Sequence, residues 1–289
     1  MKVRRPIVAG RFYPGDRYSC EAEIRDCLRR PLPEGLPETI AAGIVPHAGW
    51  FFSGATAGLV FAAVERRNKA VDTFVIFGAA HGYFGRLPSV YADGAWSTPL
   101  GDIAVDEDLA ALLVDSGAAV ADRSAHDAEH SIEVQVPFVQ HLFSHAKIVP
   151  VVVACNEQAV ALGRAAGEII AAGEKKVVCI GSTDLTHYGP GYGFTPMGTG
   201  RDAFKWAAEV SDGRFIDLAL KMRESELPSA AAADSSACGG GAAAAAVAAA
   251  KSQGRTAGVL LEHTDSNRIM RRKTGTESAD SVGYAAIVF

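Results

Sequence analysis

The sequence has little that would hold it in a membrane. No stretch reaches 18 consecutive apolar residues, and the alanine-rich tract at 230–250 is interrupted by Asp234, Ser235, Ser236 and three glycines. A membrane-spanning helix needs about 20 mostly apolar residues, and alanine is only weakly apolar. No long apolar run follows the basic residues near the start of the chain either. We therefore expect neither a membrane span nor a secretory signal.

The sequence also lacks an excess of positive charge. It has 28 Lys and Arg residues against 33 Asp and Glu residues, which gives a net charge of −5. Nonspecific binding to nucleic acid or to an anionic membrane needs a basic surface. We therefore expect no nucleic-acid partner and no membrane partner.

Cysteine is scarce, and its spacing does not suggest pairing. The five cysteines are an odd number, are widely spread and form no CxxC motif. A disulfide framework normally uses an even number of cysteines at characteristic spacings. The pattern favours free thiols in a reducing compartment, and we expect a cytoplasmic protein.

Apolar runs typical of strands alternate with helical patterns along most of the chain. The strand-like runs that matter most lie at 39–46, 73–78, 147–154 and 176–181. Continuous apolar strands indicate a sheet that is covered on both faces. The alternation therefore predicts an α/β fold, a three-layer sandwich around a central, largely parallel or mixed sheet. The length of 289 residues is compatible with one such domain or with two.

Three of the strand-like runs end in histidines. His47 and His81 follow the first two runs, and Asp184 and His187 follow the run at 176–181. Ligands bind at the carboxyl ends of the strands in sheets of this type. One such histidine could be an ordinary loop residue, but three at one sheet edge predict a site.

A fourth candidate segment precedes an amphipathic helix predicted at 132–143. Ser131 has the position of a helix N-cap, and acidic residues such as Glu129 and Glu133 favour a helix start. That interpretation does not account for His130, whose positive charge would oppose the helix dipole, so His130 is either structural or part of a site. We expect four other histidines to be surface or core residues, namely His126, His141, His145 and His263.

Cys238 lies inside the alanine-rich tract, just before three consecutive glycines. It could be a small buried residue of a tightly packed helix predicted at 233–253. Alternatively, it is a thiolate at a glycine-rich helix start, where the helix dipole lowers the pKa of the thiol.

Several motifs in fixed order resemble the MEMO family, whose bacterial and archaeal members are called AmmeMemoRadiSam system protein B. The matching residues are 5–14 (RPIVAGRFYP), 46–49 (PHAG), 53–54 (SG), His81, 97–101 (STPLG), 129–133 (EHSIE), 182–187 (STDLTH), 238–239 (CG) and 283–286 (GYAA). The resemblance covers essentially the whole chain and implies one MEMO-like domain over 1–289. It also implies a fold similar to the class III extradiol dioxygenases of the LigB type.

The resemblance implies a metal site. Its ligands would be His47, His81 and Cys238, where the cysteine replaces the glutamate of the dioxygenases. His187 would match their acid–base histidine. The pocket would also be lined by Asp184 and His130. A thiolate ligand favours iron or copper, and zinc is possible.

Three functions remain open on the sequence. The first is a metal-dependent redox or oxygen-activating enzyme with iron or copper. The second is a zinc-dependent hydrolase on the same ligands, with His187 as proton carrier. The third is a protein without catalysis that binds a peptide or small molecule, or acts as a scaffold. The resemblance further implies a pathway with AMMECR1-like and radical SAM proteins.

Overall fold

The protein is built around a nine-stranded sheet of mixed direction, and the computed structural model describes residues 2–289. The strands are β1 (Val3–Arg4), β2 (Ala42–Val45), β3 (Thr73–Ala79), β4 (Ser89–Val90), β5 (Ala95–Thr98), β6 (Gly101–Ala104), β7 (Val120–Ala121), β8 (Lys147–Val153), β9 (Val177–Ser182), β10 (His187–Tyr188), β11 (Val259–Asp265) and β12 (Ser281–Val288). The α-helices are α1 (Arg17–Cys27), α2 (Trp50–Arg67), α3 (Glu107–Asp115), α4 (Val136–Leu142), α5 (Glu157–Ala172), α6 (Arg201–Trp206), α7 (Gly213–Leu220), α8 (Leu227–Asp234), α9 (Gly240–Ser252) and α10 (Ser266–Thr274).

The middle of the large sheet is parallel, and the flanking strands β12 and β4 run antiparallel to their inner neighbours. The strand order is β10-β12-β2-β9-β3-β8-β4-β7, and β11 pairs with the other edge of β12. The strands β2, β9, β3 and β8 run parallel to one another, whereas β12 runs antiparallel to β2. A second, three-stranded sheet joins β1 to the hairpin formed by β5 and β6.

Helices cover both faces of the large sheet. Gly43 of β2 and Gly181 of β9 face opposite sides, because Gly43 pairs in register with Ile180 and Gly181 with Ile44. A Cβ atom at Gly43 would collide with Val60 of α2, and one at Gly181 would lie 2.7 Å from the carbonyl oxygen of Ala242 in α9. The fold is therefore a three-layer α/β sandwich, which confirms the predicted fold class.

The alanine-rich tract forms the helix that lies on the second face. Every residue of α9 from Gly240 to Ala250 is buried. On its outer side α9 packs against α5, where a Cβ atom at Gly163 would lie 2.7 Å from the Cβ atom of Ala248 and closer still to the carbonyl oxygen of Ala245. Small side chains on both helices are what allows this approach.

The predicted single helix over 233–253 is wrong. The chain leaves helical geometry at Ser235, which has a φ of 48°, and resumes it at Gly240. The reason is that the backbone N–H groups of Cys238 and Gly239 bond to Asp184 O and Thr183 Oγ1 instead of continuing a helix. The break brings Cys238 to the end of β9.

Within residues 2–289, no helix combines the length and the apolarity needed to cross a bilayer. The longest helix, α2, has 18 residues and carries polar side chains in its last turn.

The close contact of α5 with α9 predicts a large cost for a single methyl group. We expect Gly163→Ala to lower the free energy of unfolding by about 1–3 kcal/mol, because the new Cβ atom meets the backbone of α9 and cannot rotate away. Urea denaturation at neutral pH measures the change.

Gly213→Ala is the matched control for that measurement. Gly213 has helical dihedral angles, with a φ of −55°, and the nearest atom to an added Cβ is 3.8 Å away. We expect this substitution to stabilise the protein by about 0.4–1 kcal/mol, since alanine reduces the freedom of the unfolded chain. A Gly163→Ala protein as stable as the wild type would contradict the proposed tight packing.

Candidate metal centre and cavity

The parallel strands bring the predicted site residues to one edge of the sheet. His47 follows β2, His81 follows β3, and Asp184 and His187 follow β9. All four line one cavity of about 400 Å³, together with His130. The three strand ends that were singled out in the sequence therefore converge.

His47 is held in one tautomer by its hydrogen bonds. Its Nδ1 lies 3.2 Å from Ser182 Oγ, and that hydroxyl already donates to the carbonyl oxygen of Ser131 at 2.8 Å. The hydroxyl must therefore accept, so Nδ1 of His47 carries the proton and Nε2 presents a lone pair. Burial lowers the pKa of His47 to about 3, which keeps the ring neutral at physiological pH.

His81 is oriented by a carboxylate. Its Nδ1 lies 3.0 and 3.1 Å from the two oxygens of Glu129, which also accepts the backbone N–H of His81. Burial alone would lower the pKa of His81, but the hydrogen bond and the charge of Glu129 outweigh it and raise the pKa. Nδ1 is thus engaged, which leaves Nε2 as the free ring nitrogen.

His130 lies in the same cluster without such an orienting contact. Its ring stacks on that of His81 with the centroids 4.7 Å apart, and it lies 5.6 Å from the ring of His47. Its Nδ1 is 3.8 Å from the nearest oxygen of Glu129, too far for a hydrogen bond. Burial and the neighbouring His47 lower the pKa of His130 to about 4.

Cys238 reaches His47 from the side of α9. Its Sγ lies 3.2 Å from Nε2 of His47 and 3.7 Å from the carbonyl oxygen of Asp184. Burial, reinforced by the charge of Asp184, raises the pKa of this thiol. The alternative in which a helix dipole lowers this pKa is therefore wrong for the protein without a metal, in which Nε2 of His47 and the carbonyl oxygen of Asp184 are the acceptors within reach of the S–H.

Asp184 and His187 form the polar pair at the third strand end. Oδ1 of Asp184 accepts the backbone N–H groups of His47 and Ala48 at 2.7 and 3.2 Å, and Oδ2 lies 3.9 Å from Nε2 of His187. Among residues 2–289, Nε2 of His187 has no hydrogen-bond partner although it is buried. Burial raises the pKa of Asp184 and lowers that of His187.

The donor atoms lie close enough together to hold a metal ion. One triad of mutually close atoms comes from His47, His81 and His130, and a second comes from His47, Asp184 and Cys238. His47 belongs to both. Neutral imidazole nitrogens whose other nitrogen is already engaged, together with a thiol, are the donors that borderline and soft transition metals prefer. The residues present therefore fit a metal site, and the predicted ligands His81 and Cys238 fall in different triads that only His47 joins.

The sequence interpretation missed the residues that support these donors. The Ser131 side chain is not a helix cap, because its Oγ accepts the backbone N–H of Ala79 at the end of β3. Glu129 does not serve a helix start but orients His81. Glu133 forms a buried ion pair with Arg4 at 2.8 Å. The signal was present in the sequence, since both glutamates lie in the 129–133 motif.

The outer part of the cavity has a different character. Its wall contains the partly exposed rings of Phe52 and Tyr192 and the carboxylate of Asp280, whereas Phe12 packs on the ring of His130 and Tyr284 is buried. The Tyr192 ring lies 5.0 Å from the ring of His187, so the aromatic wall begins next to the polar pair. The cavity therefore has a donor-rich inner end and an aromatic outer end.

Comparison with known proteins gives matches over the whole chain. The family model described as Memo-like protein matches residues 4–288. A MEMO1 family protein of Thermococcus onnurineus is 39% identical over 300 residues, which cover 99% of this chain and 99% of that protein. A MEMO1 family protein of Methanopyrus kandleri is 34% identical over 298 residues, which cover 99% and 98%. The similarity thus includes every segment that contributes to the site.

The contact of Glu129 with His81 predicts a pH-dependent stability. The pKa of Glu129 falls from 4.5 to about 2: burial opposes this fall, but the hydrogen bond and charge of His81 and the hydrogen bond from the backbone N–H of Ser131 outweigh it. Stability from a carboxylate with a lowered pKa is present above its unfolded value and lost as the pH falls through the folded value. We expect Glu129→Gln to cost about 1–3 kcal/mol at pH 7 in the metal-free protein.

The same substitution has a second expected signature. The difference in stability between wild type and Glu129→Gln is expected to shrink as the pH falls from 4.5 towards 2, measured by urea denaturation across that range. Glu168→Gln, on the exposed side of α5, is the control for the chemical change at a site without a buried contact. A constant difference between Glu129→Gln and wild type across the range would rule out this account.

Proposed function

The chain belongs to the Memo-like protein family, as its motifs indicated, and on that premise we propose that it is a redox protein that binds iron or copper through His47, His81 and Cys238. The observation that carries the proposal is the contact between Sγ of Cys238 and Nε2 of His47 at 3.2 Å. It brings a thiol to a histidine whose free nitrogen is fixed by its other hydrogen bond.

The choice of His81 over His130 rests on the contact that Nδ1 of each ring makes with a carboxylate. Histidines that bind metals almost always donate their second N–H to a carboxylate, a carbonyl or water, which fixes the ring and increases its basicity. His81 has such a carboxylate at 3.0 Å, whereas the nearest one to His130 is at 3.8 Å. This contact favours His81 as the ligand. His130 would then line the cavity beside a bound substrate.

The choice of Cys238 over Asp184 rests on which atoms are free. Oδ1 of Asp184 already accepts two backbone N–H groups and its Oδ2 lies beside Nε2 of His187, whereas the contacts of the Cys238 sulfur involve only an exchangeable proton. A bound cation deprotonates a thiol that it coordinates, which overcomes the effect of burial on the pKa of Cys238. Thiolate with imidazole suits copper, iron and zinc.

The chemistry of a bound iron or copper ion would be one-electron transfer and the activation of dioxygen or of a substrate at an open coordination position. His187 supplies the proton chemistry in this proposal. Within residues 2–289 its Nε2 is buried without a hydrogen-bond partner, and a neutral imidazole there can take a proton from a hydroxyl group that reaches it and return it. Asp184 stabilises the imidazolium that forms, since its Oδ2 lies 3.9 Å away.

Metal content tests the ligand assignment directly. We expect the protein expressed and purified without oxygen to contain about one iron or copper ion per chain, by elemental mass spectrometry. Each of His47→Ala, His81→Ala and Cys238→Ser is expected to reduce metal binding by at least about tenfold, because each removes a donor atom.

The controls for this experiment come from neighbouring residues of the same type. His130→Ala removes the ring that stacks on His81 in the cavity. Cys155→Ser changes an exposed cysteine close to the start of α9. Both are expected to retain the metal. Loss of metal in His130→Ala but not in His81→Ala would overturn the ligand set. Zinc as the sole bound metal would overturn the redox proposal and favour a hydrolase.

Turnover separates an enzyme from a binding protein. We propose that His187→Asn keeps the metal but abolishes oxygen uptake in the presence of substrate.

The involvement of AMMECR1-like and radical SAM proteins stays a prediction from the family resemblance. Co-purification of the tagged protein from its native host would test it.

A further inference from the structure

The outer end of the cavity contains a carboxylate without a cationic partner. Oδ1 of Asp280 accepts the backbone N–H of Gly191 at 2.7 Å. Within residues 2–289, Oδ2 of Asp280 has no hydrogen bond, and no Lys, Arg or His nitrogen lies within 4.0 Å of the carboxylate. Most other acidic groups near the cavity are engaged, for example Glu129 by His81 and Asp265 by Arg268.

Contacts with neighbouring backbone fix the position of the Asp280 carboxylate. A Cβ atom at Gly191 would lie 2.5 Å from Oδ2 of Asp280, and one at Gly189 would lie 2.7 Å from its Cα atom. Gly189 also has a φ of 132°, which side-chain-bearing residues rarely adopt. On the other side, Asn267 donates to the backbone carbonyl oxygen of Asp280 at 3.0 Å. Asp280 is thus fixed between a glycine loop and a buried asparagine.

The surroundings of Asp280 select for charge and shape. The residues that line the cavity include the carboxylates of Asp184 and Asp280, but no Lys and no Arg among the described residues. An anionic ligand would therefore meet two carboxylates, and among the described lining residues the one imidazole whose pKa is raised, that of His81, is already paired with Glu129. The rings of Phe12, Phe52 and Tyr192 offer apolar surface, and aromatic faces also attract positive charge.

We propose that the cavity takes a small organic cation, an amine or ammonium compound with an aromatic or apolar body, whose positive charge pairs with Asp280. The body would lie between the aromatic rings, with its far end towards His187 and the metal ligands. The inference rests on the proposed function in taking this cavity as the substrate site. It concerns only which molecules enter that site, so it can be measured without a metal.

A matched series of three compounds tests the charge preference. The compounds are 2-phenylethylamine, 2-phenylethanol and phenylacetate, which share a ring and a short chain and are respectively cationic, neutral and anionic. Binding to the metal-free protein is followed by chemical-shift changes of backbone amides at low millimolar ligand. We expect the amine to bind at least about tenfold more tightly than phenylacetate, with the alcohol between them.

Asp280→Asn tests whether this carboxylate is the cause. The amide can still accept the N–H of Gly191, so the loop is expected to stay folded while the charge is removed. We expect the preference for the amine over the alcohol to disappear in this variant. Asp102→Asn, at an exposed position of β6, is the control in which the preference is retained.

The possible outcomes decide the inference separately from the metal proposal. No detectable binding of the amine, equal or tighter binding of phenylacetate, or an unchanged preference in Asp280→Asn would each overturn the inference. If the amine binds as expected but the protein retains no metal, the cation preference stands and the redox proposal fails. If metal is retained without amine binding, the reverse holds.

Discussion

The site depends on one residue that joins three segments of the chain. The Oδ1 atom of Asp184 accepts the backbone N–H groups of His47 and Ala48. The backbone carbonyl oxygen of Asp184 accepts the N–H of Cys238. The three segments come from the ends of β2 and β9 and from the chain just before α9. Each buried N–H group left without its acceptor would cost about 1–3 kcal/mol, so Asp184 both fixes the geometry and stabilises it. The 3.2 Å contact of the thiol with His47 follows from this arrangement.

The packing of α9 against the sheet also determines the position of Cys238. A helix of larger side chains would be held away from the sheet, and Cys238, two residues before its start, would move away with it. The buried alanines of α9 and Gly181 of β9 allow its backbone to approach the sheet closely. The composition of the tract and the position of the thiol are thus two consequences of the same contact. This explains why the tract is rich in small residues without being a membrane segment.

The sequence predicted the three-layer fold and the convergence of His47, His81 and His187, because both follow from strand order and from the geometry of parallel sheets. It did not predict the break before Cys238, because that break depends on hydrogen bonds to Thr183 and Asp184 that only the folded chain brings close. It also assigned Ser131 to a local helix cap. Local capping patterns cannot be distinguished in sequence from contacts to a distant strand, such as the one that Ser131 makes with β3.

The hydrogen bonds to Nδ1 of His47 and of His81 determine which ring nitrogen each histidine can offer to a metal. Ser182 and Glu129 engage the Nδ1 atoms of His47 and His81, so both rings can offer only Nε2 to a ligand. Within residues 2–289 no carboxylate or hydroxyl orients the ring of His187 in this way, which suits a group that exchanges protons better than one that is fixed as a ligand. In the proposed function, these neighbours divide the histidines, which look equivalent in the sequence, into metal ligands and a proton carrier. In the proposed function, binding, metal ligation and proton transfer fall on separate residues, and Asp280 beside the aromatic rings selects the entering molecule.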